Sequence, residues 1–98
     1  MSYEDALFYK ETLEVVDYGF NWQNQLAGDT ISASTWTLAA LNGATLDLTT
    51  TSNTFGTTWT KIWLQGGLHG SMYTLTNLIT TASGRTEKRS IKLLCKIL

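Results

Sequence analysis

Apolar and polar side chains alternate along most of this 98-residue chain with the period of two that a half-buried β-strand shows. The clearest segment predicts a hairpin of two strands, Tyr73–Thr81 and Arg85–Ile97, which turns at Ser83-Gly84. No segment of the chain shows the period of a helix. The pattern therefore predicts an all-β protein.

Four earlier segments, at residues 12–22, 30–38, 44–50 and 57–65, continue the alternation. Asn42-Gly43 is a favoured hairpin turn between the second and third of them, and residues 51–56 are expected to form a loop. Six to eight short strands at this spacing are typical of an Ig-like antiparallel β-sandwich. We assign residues 12–98 to that single domain.

Composition supports the strand prediction. The chain has seventeen threonines, whose β-branched side chains suit a pleated surface, and it has no proline, so its turns depend on Gly, Asn, Asp and Ser. Tyr73 follows a glycine-containing turn and opens the penultimate strand, as the tyrosine of an Ig-like tyrosine corner does. A plain core tyrosine is the alternative.

Residues 1–11 do not share the alternation and are interpreted as an N-terminal arm. Leu7, Phe8 and Tyr9 are consecutive, so one face of a strand or helix cannot carry all three. The arm either folds over its own domain or docks on another subunit.

Charge and cysteine content exclude several classes of protein. A formal net charge of −1 gives no basic face for nucleic acid, and no apolar run is long enough to span a membrane. The beginning of the sequence lacks the apolar core of a secretory signal, and Cys95 is the only cysteine. We expect synthesis in a reducing cytoplasm, with Cys95 as a small buried hydrophobic residue.

The chain carries no pattern typical of an enzyme. His69 stands alone in a glycine-flanked turn, and no serine lies in a nucleophile elbow. One histidine, one cysteine and scattered acids give no metal-ligand spacing, and no glycine-rich phosphate loop precedes a helix. We therefore expect no catalytic residue, no metal and no cofactor.

The tryptophans are stronger candidates for function. If Ile62 and Leu64 face the core, Trp59 and Trp63 share the opposite face of the same strand. Such residues could lie in a subunit interface, form a second core layer or stack on sugar rings. With the arm residues Leu7, Phe8 and Tyr9, they are the predicted interface candidates.

The order of short motifs from Val15 onward resembles small β-sandwich virion proteins of tailed bacteriophages, and in particular the phage fibre–tail adaptor proteins. The matching positions are Asp17 and Trp22; Gly28, Asp29, Ile31 and Trp36; Trp63, Leu64, Gly66 and Gly67; Tyr73 and Asn77; and Gly84, Arg85 and Thr86.

The resemblance implies a structural virion protein, made in the host bacterial cytoplasm, that acts as a tail or neck adaptor and helps attach fibres. Its partners would be tail, neck, portal or fibre subunits, with the chain present in many copies or as a homo-oligomeric ring. Neither nucleic acid nor a membrane is an expected partner. A capsid decoration protein, or a carbohydrate-binding β-sandwich that uses exposed tryptophans, remains the alternative.

Overall fold

The computed structural model describes residues 6–11, 14–41 and 48–96, which form two β-sheets packed face to face. The elements in chain order are β1 (Ala6–Glu11), β2 (Val16–Asn21), α1 (Gln23–Leu26), β3 (Ile31–Ala40), β4 (Leu48–Phe55), β5 (Trp59–Gly66), β6 (Met72–Thr81) and β7 (Thr86–Lys96). The four-stranded sheet has the order β1-β7-β6-β3, and the three-stranded sheet has the order β2-β5-β4. The predicted all-β sandwich is confirmed.

The strand order is that of an Ig-like domain. Consecutive strands β2 and β3 lie in different sheets, and β5 and β6 also change sheet, so every sheet combines strands distant in sequence. The predicted closing hairpin is present as the antiparallel pair β6–β7. One pair departs from the expected antiparallel arrangement, because β1 runs parallel to β7.

Of the two alternatives for the N-terminal segment, the structure shows its described part, Ala6–Glu11, folded onto its own domain, and docking of the segment on another subunit stays a prediction. Ala6–Glu11 is β1, an edge strand that pairs with β7 from Ile91 to Lys96. Lys10 fixes this strand to the other sheet, since its buried ammonium group donates to the Gly66 carbonyl at 2.7 Å. Because a charged residue occupies this buried position, the sequence of β1 does not alternate between apolar and polar residues, and the strand was not predicted.

Two further expectations fail in the middle of the chain. The expected loop at residues 51–56 lies mostly in β4, which begins at Leu48 and ends at Phe55. The expected hairpin between the second and third segments is also wrong, because β3 and β4 belong to different sheets, and Asn42-Gly43 lies outside the described residues. In β3, a register shift between Ile31 and Ala33 reverses the alternation.

The core lies between the sheets and contains one large aromatic residue from outside the strands. Trp22 is fully buried at the start of the single-turn helix α1, and Leu26 at the end of that helix is 1% exposed. Phe20 contacts the Trp22 ring edge-on and stacks on Trp36 at 5.7 Å between ring centroids. The helix thus closes one end of the core.

A hydrogen-bonded group of polar side chains crosses the centre of this core. The Asn77 carbonyl oxygen on β6 accepts hydrogen bonds from Thr60 of β5 at 2.7 Å and from the Trp22 indole at 3.1 Å. The Asn77 amide nitrogen donates to the Ser34 hydroxyl at 2.9 Å and to the Thr35 carbonyl at 3.0 Å on β3. Both sheets are therefore joined through one buried amide, whose hydrogen bonds offset the cost of its burial.

We predict that Asn77→Leu lowers the free energy of unfolding by on the order of 3 kcal/mol, because its partners on β3, on β5 and at the start of α1 would lose their hydrogen bonds. Urea unfolding at neutral pH measures the change. Asn53→Leu on the exposed strand β4 is the matched control and should stay within about 0.5 kcal/mol of the wild type. Equal stability of Asn77→Leu and the wild type would show that the buried network does not hold the sheets together.

Candidate interaction surface

The outer face of the three-stranded sheet carries the two predicted tryptophans. Strand β5 is the central strand of that sheet, and Trp59, Lys61 and Trp63 point away from the core. Trp59 is 42% exposed and Trp63 is 38% exposed, whereas Ile62 and Leu64 are fully buried. The described part of the chain therefore leaves both rings open to contact from outside.

Strand β2 places polar side chains directly beside these rings. Asn21 pairs with Trp59 in the register of β2 and β5, and Asp17 pairs with Trp63. Lys61 lies between the two rings, with its ammonium group 3.7 Å from the Asp17 carboxylate and 5.9 Å from the Trp59 ring centroid. An ion pair this exposed contributes no more than about 1 kcal/mol to stability, but it leaves the face close to neutral.

Gly19 explains why β2 lies so close to the tryptophan strand. A Cβ atom at this position would come within 2.6 Å of the Thr60 carbonyl oxygen, so a larger residue would push β2 away from β5. The missing side chain leaves a shallow depression lined by Gly19, Asn21, Trp59 and Lys61. The outer face of the three-stranded sheet is therefore an aromatic surface with a shallow recess between polar side chains.

A deeper groove of about 510 Å³ opens on the other side of β2, between the two sheets. Phe8, Tyr18, Phe20 and Arg89 are among its lining residues. The Arg89 guanidinium lies 4.6 Å from the Phe20 ring centroid and donates to the Asn21 carbonyl at 3.0 Å. Arg89 thus covers the open end of the aromatic core and joins β7 to β2.

The three predicted interface residues of the N-terminal segment do not act as one patch. Phe8 and Tyr9 lie on opposite faces of β1 and are 44% and 59% exposed. Phe8 contacts the Tyr18 ring edge-on at 6.3 Å, and the Tyr18 hydroxyl donates to the Tyr9 carbonyl at 3.3 Å. Burial raises the pKa of Tyr18 to about 12, so this hydroxyl stays protonated as a donor. Leu7 lies in β1 opposite Lys92.

Tyr73 is placed at the corner between the two sheets. It is fully buried near the start of β6, and its hydroxyl accepts a hydrogen bond from the Leu68 amide at 3.1 Å, five residues upstream. Gly67 in the same turn has φ of +98°, and a Cβ atom there would come within 2.4 Å of the Cys95 sulfur. The turn therefore requires glycine for two independent reasons.

The described residues bring no reactive group into a site of its own. Cys95 is fully buried, and burial raises the pKa of its thiol, which disfavours the thiolate. His69 lies at an exposed turn. Within residues 6–11, 14–41 and 48–96, no three His, Cys, Asp or Glu side chains form a metal-binding group, and no helix is long and apolar enough to cross a membrane.

A polar cluster that connects two distant turns was not apparent from the sequence. Asp29, after the Gly28 turn, accepts hydrogen bonds from the Ser83 hydroxyl and from the Thr30 amide, and its carboxylate lies 3.5 Å from the Arg85 guanidinium. Arg85 also donates to the Leu26 carbonyl at 2.9 Å. The Gly-Asp and Gly-Arg-Thr motifs were visible in the sequence, but their contact depends on the fold.

The geometry defines the class of the protein as an Ig-like β-sandwich with an exposed aromatic face on its three-stranded sheet. A family model described as "Podophage GP4 fiber-tail adaptor protein gp77" matches residues 10–94, from the end of β1 through most of β7. The chain therefore belongs to this family of phage fibre–tail adaptor proteins. No curated protein matches the chain significantly.

We predict that Asp29→Asn lowers the thermal unfolding midpoint near neutral pH, and that the difference from the wild type narrows as the pH falls below about 4. Hydrogen bonds from Ser83, Thr81 and Thr30 hold the pKa of Asp29 well below its usual range. The carboxylate thus stabilises the fold above its unfolded-state pKa, and this contribution is lost as the pH falls toward the lower folded-state pKa.

Thermal unfolding of the wild type and the variant across acidic and neutral pH tests this prediction. Ser83→Ala, which removes the first of these hydrogen bonds and keeps the carboxylate, should show a smaller loss with the same pH trend. If the unfolding midpoints of Asp29→Asn and the wild type differ by the same amount at all pH values, the prediction is wrong.

Proposed function

We propose that this chain is a structural, non-enzymatic component of a tailed-bacteriophage virion, a tail adaptor that binds neighbouring virion proteins and helps attach fibres. The exposed Trp59–Trp63 face of the three-stranded sheet is the observation that carries this proposal. The family membership supports a place in the tail over the capsid-decoration alternative. Synthesis in the host cytoplasm fits a single buried cysteine.

The aromatic face has the composition of a protein-binding surface. Tryptophan is enriched among the residues that dominate interface energies, particularly at the centre of a patch from which water is excluded. About two fifths of each indole is still exposed, and covering that area would contribute roughly 2 kcal/mol per ring. Lys61 and Asp17 form an ion pair within the chain, so a partner would not need to supply a countercharge to either.

Phe8 and Tyr9 are two further exposed apolar side chains, on the edge strand β1 of the four-stranded sheet. Their exposed fractions are similar to those of the tryptophans, but they lie on opposite faces of β1. A partner contacting both must therefore wrap around the strand edge. We propose β1 as a secondary contact, with the tryptophan face as the principal one.

One observation favours a second candidate function, carbohydrate binding. The sequence offered only Lys61 as a polar group near the tryptophans, whereas the sheet places Asp17 and Asn21 beside them. Two rings four residues apart on one strand lie about 13 Å from each other, and polar side chains between them could bind sugar hydroxyl groups. Protein contact remains the primary proposal because of the family to which the chain belongs.

We predict that a Trp59→Ala/Trp63→Ala double variant folds normally and incorporates into phage particles at less than about a tenth of the wild-type level. Protein content of purified particles and infectivity measure the effect. Leu78→Ala is the matched control, because Leu78 is 42% exposed on the outer face of the opposite sheet.

Normal incorporation of the double variant would contradict the tryptophan face as the docking surface. Glycan binding by the isolated wild-type domain, lost in a double variant that still assembles, would instead establish the carbohydrate-binding function.

A further inference from the structure

The four edge strands of the sandwich are not equally protected. An unpaired edge exposes a row of backbone N–H and C=O groups that can pair with another chain, and folded proteins protect such edges with charges, bulges or covering side chains. The edges here are β1 and β3 in one sheet and β2 and β4 in the other. Within the described residues, three of these edges are protected and β3 is not.

Each protected edge uses a different device. On β1, the Tyr18 hydroxyl donates a hydrogen bond to the Tyr9 carbonyl, so this carbonyl is not free to pair with another chain. On β2, the Arg89 guanidinium donates a hydrogen bond to the Asn21 carbonyl, and Asp17 places a charge on the strand. Strand β4 carries a register shift between residues 50 and 52, which interrupts its edge.

Strand β3 has none of these devices over most of its length. From Ala33 to Ala40 it pairs with β6 in unbroken register, because its one register shift lies before Ala33. This stretch of eight residues has no charged residue and no proline. No described strand pairs with β3 on the side away from β6.

The hydrogen bonds of β3 show which of its backbone groups face the open side. The Leu41 amide donates to the Met72 carbonyl at 3.0 Å, and the Thr35 carbonyl accepts from the Asn77 side chain. In an antiparallel strand, the backbone N–H and C=O groups of successive residues point to opposite sides of the strand within the plane of the sheet. The backbone groups of the odd-numbered residues of β3 therefore point toward β6, and those of the even-numbered residues point to the open side. The outward backbone groups belong to Ser34, Trp36, Leu38 and Ala40.

We propose that β3 is a self-pairing edge, on which β3 of a second copy of this chain adds in the antiparallel direction to form a continuous eight-stranded sheet. Around a two-fold axis at Trp36, Ala33 opposes Ala39 of the second copy and Thr35 opposes Thr37. No like charges meet, and Thr–Thr pairs are favourable across antiparallel strands. Such an isologous contact satisfies the outward backbone groups of both copies at once.

This surface is separate from the tryptophan face, which belongs to the three-stranded sheet. The inference therefore does not depend on the proposed function. A pair of copies joined through β3 would present two tryptophan faces.

Sedimentation velocity of the isolated protein over a range of concentrations tests the proposal. The wild type should dimerise reversibly, and Thr37→Lys should weaken dimerisation by about tenfold or more, because it brings like charges together near the two-fold axis. Thr49→Lys, the same substitution on the exposed edge strand β4, is the matched control and should dimerise as the wild type does. Circular dichroism of all three proteins checks that each is folded.

Disulfide trapping tests the register. An equimolar mixture of Thr35→Cys and Thr37→Cys proteins should form a disulfide-linked dimer on oxidation, whereas either variant alone and the wild type, whose Cys95 is buried, should not. A wild type that remains monomeric into the millimolar range would overturn the proposal. So would equal weakening by Thr37→Lys and Thr49→Lys, or equal cross-linking in the mixture and in the single variants.

Discussion

The buried side-chain amide of Asn77 holds the two sheets and the short helix in register. It joins β6 and β3 of one sheet to Thr60 of the other and to Trp22 at the start of α1. A strand that slipped by one residue would exchange its inner and outer faces and would leave these polar groups without partners. Because Thr60 must face inward, the neighbouring odd-numbered residues of β5 must face outward, and Trp59 and Trp63 are among them. The core network therefore also determines which side chains form the proposed interaction surface.

The sequence was informative where side chains alternate without interruption. The hairpin of β6 and β7 and the two faces of β5 could be predicted because each core residue is followed by an exposed or half-exposed one. The register shift after Ile31 could not be predicted, because a β-bulge is a change in backbone pairing and a serine such as Ser32 can lie on either face of the sheet. Strand β1 was missed because Lys10 occupies a core position, which a charged residue can do only with carbonyl partners supplied by the fold.

The residues that resemble the adaptor family and the residues proposed to contact partners are largely different sets. Trp22 and Asn77 meet in the core network, and Asp29 and Arg85 join two turns, so these family motifs specify the sandwich. Of the family positions, Trp63 is also proposed as a contact for another virion protein, and Trp36 lies at the two-fold axis of the proposed β3 pairing. Most of the family motifs are thus explained by their role in folding, and the residues proposed to bind partners are mainly those that the fold leaves exposed.

We propose that the outer face of the three-stranded sheet contacts a neighbouring protein in the particle. A cryo-EM map of the intact phage tail, at a resolution that shows indole rings, tests this most directly. We expect Trp59 and Trp63 to be covered by side chains of another virion protein, with the Asp17–Lys61 ion pair retained beside them. A map in which this face is open to solvent while the domain is held through other surfaces would contradict it.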